Sequence, residues 1–314
     1  VSHSPVDITL FGLILADIIA EPMNVRQPPP PGGLHQVNSI TVTTGGNVCN
    51  TGIAAVRLGM KVAASGLIGK DVLGRAVSET LAAAGLVVSD IQTTDRAQTG
   101  ATIVAVEPGG ERCFFHTLGA SKLLDAAVFR RAFDLFKASK WIQIGYFGLL
   151  PNLAADLPRL LPELRAYAPN TKISFETVTP VGPWEQLVPI LPHLDLFCPS
   201  RTEAEALTGE RSPAAMIAAF RRHLPRGLIG IKLDAEGCLL DDGKQQVLIP
   251  SYKIKVVDTT GAGDVWYAGL LTGLCKQMPL EQIGKLANRA AADCCMALGA
   301  SAGVRTLGDT ISRL

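Results

Sequence analysis

The residues Asp258-Thr259-Thr260-Gly261-Ala262-Gly263-Asp264 carry the densest chemistry in the chain. An alternating, β-branched stretch at 253–257 precedes them, and an apolar run rich in small residues follows at 265–274. That order predicts strand, tight turn, helix. Gly261 and Gly263 permit backbone angles closed to other residues and let a ligand approach the chain. The first turn of a helix has unpaired N–H groups and the positive end of the helix dipole, a place for phosphate or for negative charge that develops in a reaction. Asp264, inside the same turn, stands next to whatever binds there. A carboxylate at a helix N-terminus is stabilised as the anion and is expected to be a weak base. Phosphoryl transfer works with a weak base, because its loose transition state lets the hydroxyl proton leave late. The plainer reading is a glycine-rich turn with an N-capping aspartate.

The flanking elements must bring this turn to a substrate. Residues 7–19 read as an apolar strand with Asp17 near its exit, at the kind of strand edge where α/β proteins bind ligands. A lone Asp there is more usually a turn or cap residue. The prolines at 28–31 with Gly32 and Gly33 form a connector, and 35–44 alternate as a strand. Strands 101–106 and 112–116 predict a hairpin, so a lid or small lobe is expected. Gly45 and Gly46 open a helix at 48–58, in which Asn50 is more commonly a helix-start residue than a ligand. Further strands at 61–67, 87–91, 141–144, 172–175, 194–199, 227–233, 238–241 and 246–250 alternate with helices at 72–84, 125–138, 152–166, 203–207, 213–222 and 280–298. Pro158 and Pro162 are expected to interrupt the helix at 152–166. The alternation predicts a three-layer α/β/α sandwich with a mostly parallel central sheet, plus a small β-sheet lid.

Composition narrows the function. The 314 residues are 47% hydrophobic, ample for a large core, and 29 basic against 28 acidic residues leave no general field for nucleic acid or an anionic membrane. The N-terminal residues show no basic segment leading into an apolar core, and the apolar stretch 8–20 is too short to span a bilayer. The seven cysteines include no C-x-x-C pair and read as buried free thiols of a reducing, cytoplasmic compartment. There is no P-loop, no G-x-G-x-x-G after the first strand, no H-E-x-x-H and no G-x-S-x-G. The five histidines lack zinc-ligand spacing; His116 is a candidate to line a pocket, with a surface or packing role as its alternative.

The stretch 258–269 resembles the C-terminal signature of the ribokinase-like (PfkB-type) carbohydrate kinases, D-T-T-G-A-G-D followed by an aromatic and small residues. Gly45-Gly46-Asn47-Val48-Cys49-Asn50 with Leu58-Gly59 is similar to that family's N-terminal G-G-x-x-x-N … L-G signature, and Gly66, Gly69, Asp71 and Gly74 also fit its pattern. The resemblance covers roughly 7–308 and implies a single kinase domain, 1–314, with lid strands near 18–44 and 97–117 inserted in it. It implies ATP- and magnesium-dependent phosphorylation of a hydroxyl, a primary alcohol, on a small unphosphorylated sugar or sugar acid. Asp264 matches the catalytic base, and Gly261, Ala262 and Gly263 the anion hole. Asp17, Gly45, Gly46 and Asn50 match the sugar site, to which His116 and Tyr146 are added as candidates. Lys232, Gly237, Thr259 and Asn288 match the nucleotide side. Glu203 matches the carboxylate that acts on magnesium through waters. Asp258 and Thr260 match positions that help hold potassium in monovalent-cation-dependent members.

Three departures from the pattern stand out. Asp234 replaces a glycine in the nucleotide-side turn, Ser200 replaces the asparagine of N-x-x-E, and Glu176-Thr177-Val178-Thr179-Pro180 stands where D-x-N-x-R is frequent. With no arginine there, the pattern argues against a substrate that already carries a phosphate. Arg201 is a candidate phosphate contact. The competing readings are a nucleoside (adenosine-like) kinase, for which Phe114, Phe115 and Tyr146 would face the base, and a catalytically weak sugar- or nucleotide-binding protein, motivated by Ser200 and Asp234. In relatives the lid commonly forms the dimer contact, so a homodimer through the lid is expected.

Overall fold

The computed structural model describes residues 3–314; Val1 and Ser2, which begin the N-terminal segment read above, lie outside the described residues. In chain order the strands are β1 Val6–Gly12, β2 Leu15–Glu21, β3 Ser39–Gly45, β4 Val62–Gly69, β5 Val87–Thr94, β6 Gly100–Val106, β7 Arg112–Thr117, β8 Ser139–Ile144, β9 Lys172–Phe175, β10 Leu196–Phe197, β11 Leu228–Lys232, β12 Cys238–Asp241 and β13 Gln246–Ile249. A nine-stranded sheet runs β13-β12-β11-β10-β9-β8-β1-β4-β5, and a four-stranded sheet runs β3-β2-β6-β7. The large sheet is parallel from β5 to β11 and antiparallel only at the β11-β12-β13 edge.

Alternate side chains of β1 enter different cores, which makes the large sheet a central layer. Ile8 and Leu10 join helices Asn47–Arg57, Ala262–Cys275 and Leu280–Cys295. Phe11 joins the opposite layer, where helices Pro151–Tyr167 and Pro213–Arg221 pack. The three-layer α/β/α sandwich with a smaller sheet is therefore as expected from the sequence. Among the described residues no helix is long and apolar enough to cross a membrane.

Strand order reverses at β1, which has β4 on one side and β8 on the other. Such a reversal opens a crevice at the carboxyl ends of the strands. Asn47 fills its floor: its Oδ1 accepts the Leu13 amide at 2.9 Å, and an added Cβ at Gly145 would lie 2.2 Å from its Nδ2. The helix Ala262–Cys275 is buried from Asp264 to Gly273. Its glycines let it approach the helix Leu280–Cys295: a Cβ on Gly269 would stand 2.8 Å from Ala287 Cα. The Tyr267 hydroxyl ties the helix to two strand ends, accepting from the Cys198 amide and donating to Phe175 O, each at 2.9 Å.

Several boundaries differ from the sequence reading. The apolar run 7–19 is two strands in two sheets, broken at Leu13-Ile14, so Asp17 lies on the small sheet and not at the exit of a central strand. The alternating stretch 253–257 is not a strand; Val257 and Asp258 donate their amides to Cys295 O at a helix end, and Val256 and Val257 are exposed. Pro158 and Pro162 sit inside an unbroken helix. They lie off its buried face of Leu153, Ala154, Leu157, Leu160, Leu161 and Leu164, so packing holds the helix although two carbonyls lose their helical donors. The expected helix at 125–138 is two short helices, Ala126–Arg131 and Phe133–Lys137, and the strand expected at 194–199 spans only Leu196–Phe197. All seven cysteines are free; Cys113, Cys275 and Cys295 are half-buried, not fully buried as the sequence suggested.

Gly269→Ala is expected to lose stability, because overpacking against backbone costs about 1–3 kcal/mol and exceeds the gain in helix propensity of about 1 kcal/mol. Urea unfolding of the two proteins measures the difference; equal midpoints would mean that the helices part freely.

Candidate active site

Gly261 begins the site. Its φ is 74°, and an added Cβ would stand 2.5 Å from Ala300 O, so both angle and space demand glycine. The helix starts at Ala262, whose amide turns back to Thr259 O at 3.1 Å. The amides of Gly263 and Asp264, at the second and third positions, lie ahead of any helical acceptor and remain the open donors of the turn. Lys232 at the end of β11 supplies a positive charge beside them: its Nζ would be 3.5 Å from a Cβ on Gly263. Of the three positions expected to form an anion hole, Ala262 thus spends its amide locally, whereas Gly263 keeps its own. Thr259 is exposed and serves the turn through its carbonyl.

Asp264 is 3% exposed and sits between two donors. Asn50 Nδ2 donates to Oδ2 at 2.8 Å, and the Tyr146 hydroxyl reaches Oδ1 at 2.9 Å and Oδ2 at 2.8 Å. Burial raises the Asp264 carboxyl above the ordinary aspartate range, although Asn50, Tyr146 and Lys232 pull the other way. This corrects the expectation of a weak base at a helix N-terminus: desolvation wins over stabilisation of the anion. Tyr146 follows the last residue of β8 and Gly145, with a left-handed φ of 59°. That conformation, uncommon outside glycine, turns its ring into the crevice. Burial, and then the Asp264 charge, push its phenol well above the usual range, so it stays a donor.

Three carboxylates share one ammonium behind this pair. Lys232 Nζ is 3.4 Å from Glu176 Oε1, and Gln143 Nε2 donates to Glu176 Oε2 at 2.8 Å. Burial raises the Glu176 carboxyl strongly; Lys232 opposes the rise, and Asp264 and Glu203 add to it. Glu203 accepts the Ser200 amide at 2.8 Å and the Thr177 hydroxyl at 3.1 Å, both on Oε2. Ser200 and Glu203 form a reciprocal capping box at the start of helix Arg201–Thr208, so the serine that replaces asparagine has a local structural job. Glu203 Oε1 takes no protein hydrogen bond among the described residues. One carboxylate oxygen suits an ion that keeps most of its waters, as magnesium does.

The small sheet supplies the other wall. Asp17, Thr43, Thr102 and His116 occupy one cross-strand row. Thr102 Oγ1 and His116 Nδ1 are 3.1 Å apart, and Asp17 lies over Gly45, where a Cβ would meet its Oδ2 at 2.4 Å. Burial raises the Asp17 carboxyl, against opposing contributions from Thr102 and His116. Gly45 under Asp17 and Asn50 on Asp264 flank one helix start, which puts the two carboxylates around it. Gly46, with φ 87°, is the N-cap of that helix.

Other expected residues make the following contacts. Asn288 is buried, donates to Ile249 O and Pro250 O at 3.1 Å each and accepts Trp266 Nε1 at 2.9 Å, which ties the end of β13 to the helix Ala262–Cys275. Arg201 pairs with Glu236 at 2.7 Å. Asp71 caps its helix through the Gly74 amide and holds Thr99, the structural alternative for that motif. Asp234 takes the left-handed φ of 53° that a glycine there would take, and Gly237 is forced by φ 105° and a Cβ distance of 2.0 Å to Ile249 O. Asp258 and Thr260 bond Arg112 of β7. The sequence offered no signal for that contact or for Glu176 beside Lys232, because each joins elements distant in the chain. A cavity of about 320 Å³ bounded by Met23, His35 and Phe115 lies along the small sheet's arm, apart from Asp264.

The arrangement sets open amides and a lysine beside a buried carboxylate. The sequence profile of the pfkB family carbohydrate kinases matches residues 7–307, and the chain belongs to that family of enzymes. It is 27% identical to a ribokinase of Haemophilus influenzae, over 98% of both chains. It is 28% identical to fructokinase-2 of Solanum lycopersicum, over 84% of this chain and 80% of that one. Its fold is similar to that of an Arabidopsis thaliana ribokinase complexed with ribose and ATP, at a TM-score of 0.82 and 18% identity over 99% and 98% of the two chains. A putative ribokinase II of E. coli in complex with ATP and Mg2+ gives a TM-score of 0.82 at 20% identity, over 98% and 99%.

Tyr146→Phe removes a hydrogen bond that favours the ionised form of Asp264. If Asp264 sets the acidic limb of the kcat/KM profile, that limb is expected to move to higher pH. An unmoved limb would separate the phenol from the titrating group.

Proposed function

We propose that this chain transfers the γ-phosphoryl group of ATP to a primary hydroxyl of a small unphosphorylated sugar or sugar acid. The observation that carries the reading is the Asp264 carboxylate, buried between Asn50 and Tyr146 in the same turn as the open Gly263 and Asp264 amides. The substrate hydroxyl takes the place of one donor on Asp264, which then accepts its proton. The amides and Lys232 hold the equatorial oxygens of the transferring group, the part of the transition state where charge is spread. Magnesium, when bound, neutralises the phosphates, and Glu203 is the residue that would reach it through water.

The Asp17 row binds the sugar. An ionised carboxylate accepting from neighbouring hydroxyls gives strong, directional bonds. As a lid, the small sheet excludes water, which competes as an acceptor. At β9 the chain presents Glu176 and Thr177, both buried, in place of an arginine, which supports an acceptor without a phosphate. For the alternative of a nucleoside kinase, Phe114 lies two residues from His116 on β7, hence on Asp17's side of the small sheet, and is 58% exposed, open for stacking on a base.

The panel of ribose, fructose, ketodeoxygluconate and adenosine with ATP tests the reading. Asp264→Asn is expected to lower kcat by about 10²–10⁴-fold. A raised carboxyl pKa in the folded state stabilises the fold at low pH and loses that contribution as pH rises past it, so at neutral pH Asp264 is a burden on stability. The Asn variant should therefore melt no lower than the parent. Unchanged turnover would remove Asp264 as the base, and tight binding with no transfer to any acceptor would favour a binding protein.

The row Val42, Ile18, Ile103 and Phe115 lies on the opposite face of the small sheet, with Val42, Ile103 and Phe115 exposed. A second copy covering this face is the proposed homodimer. Ile103→Glu is expected to shift the mass measured by light scattering from two chains to one; a parent protein that is already monomeric contradicts the contact.

A further inference from the structure

The oxygens that the family resemblance offers to potassium already hold a cation in this chain. Arg112 Nη1 donates to Asp258 Oδ1 at 2.8 Å and to Thr260 Oγ1 at 2.7 Å. The Thr260 amide donates to Asp258 Oδ1 at 3.0 Å, and the Gly299 amide donates to Oδ2 at 2.7 Å. Two adjoining carbonyls, Thr260 O and Ala300 O, face the Cys294 thiol at 3.6 and 3.3 Å. A bare monovalent ion needs several free oxygens, and here the guanidinium and two backbone amides already engage both Asp258 carboxylate oxygens and the Thr260 hydroxyl. The side chains of Arg112 and Asp258 are 16% and 6% exposed, so the pair is shielded from the screening that weakens surface pairs.

We propose that the Arg112 guanidinium is the built-in monovalent cation of this site and makes the chain independent of potassium. It is a positioning residue: it acts through Asp258 and Thr260, which lead directly into Gly261 and the open amides. The positive charge stays beside the anion hole, where it raises the local potential for phosphate oxygens. Arg112 also belongs to β7, the edge of the small sheet, so the charge travels with the element that covers the sugar. A free ion would be present whether or not that sheet was closed; this one joins the phosphate turn to the sheet that carries the Asp17 row.

The proposal rests on the kinase reading, and its test is arranged to tell the two apart. Thermal unfolding and phosphoryl transfer by the whole chain are compared in KCl, NaCl and choline chloride at equal ionic strength. The parent protein should show the same transition temperature in all three and rates within about twofold. Arg112→Ala in choline should lose about tenfold or more in rate. Millimolar guanidinium or potassium should return part of that loss, and potassium alone of the three salts should raise the variant's transition temperature. Arg112→Lys, which keeps the charge, should remain indifferent to potassium. A parent protein that is activated or stabilised specifically by potassium overturns the proposal, as does an Arg112→Ala variant as active in choline as the parent. If Arg112→Ala does not fold, the parent's response to the three salts decides alone. No transfer in any salt would defeat the kinase reading, and the melting comparison would still report on the ion.

Discussion

A charge kept out of water is the constraint on which the rest of this structure depends. Asp264 is an acid that burial makes more basic, and it can remain ionised only because Asn50, Tyr146 and Lys232 attend it. Each attendant arrives from a different element: the helix after β3, the exit of β8 and the end of β11. The carboxylate therefore depends on the correct docking of the sheet's carboxyl edge with two helices. The same desolvation that costs stability gives the group its chemistry, since a fully hydrated aspartate would bind a proton less readily.

Strand order explains why the attendants meet. The reversal at β1 leaves a gap beside β8, and Asn47 fills the floor of that gap without closing it. The buried helix Ala262–Cys275 points its first turn at the gap, fixed from behind by Tyr267 across β9 and β10. Chain from β1 passes through Leu13-Ile14 into β2, so one continuous segment belongs to both the central sheet and the cover. The Asp17 row and the turn at 258–264 are joined through Arg112, which bonds Asp258 and Thr260 from β7.

Both glycine signatures were legible in the sequence because each is local: the turn at 258–264 and the helix start at 45–50 need only near neighbours to fix their geometry. The layered α/β architecture was legible for the same reason, being written in periodicity. Asp17 was identified as a ligand candidate but assigned to the wrong sheet, since hydropathy runs unbroken from β1 into β2 and does not mark the change of partner. The stretch 253–257 alternates like a strand yet finds no strand edge to join, and pairing is a tertiary fact. Tyr146, Glu176 and Arg112 acquire their partners at sequence separations of 118, 56 and 146 residues, which no local pattern encodes. Asn288 shows the converse: a motif position whose amide the folded chain uses to hold Trp266 and the end of β13.

The most direct measurement is a crystal structure of the chain with an acceptor sugar and an unreactive ATP analogue bound together. A sugar hydroxyl oxygen is expected within about 2.6–3.2 Å of an Asp264 carboxylate oxygen, with the terminal phosphate on the Gly263 and Asp264 amides. A sugar seated elsewhere, with Tyr146 and Asn50 still closed over Asp264 and the phosphates away from that turn, would contradict it.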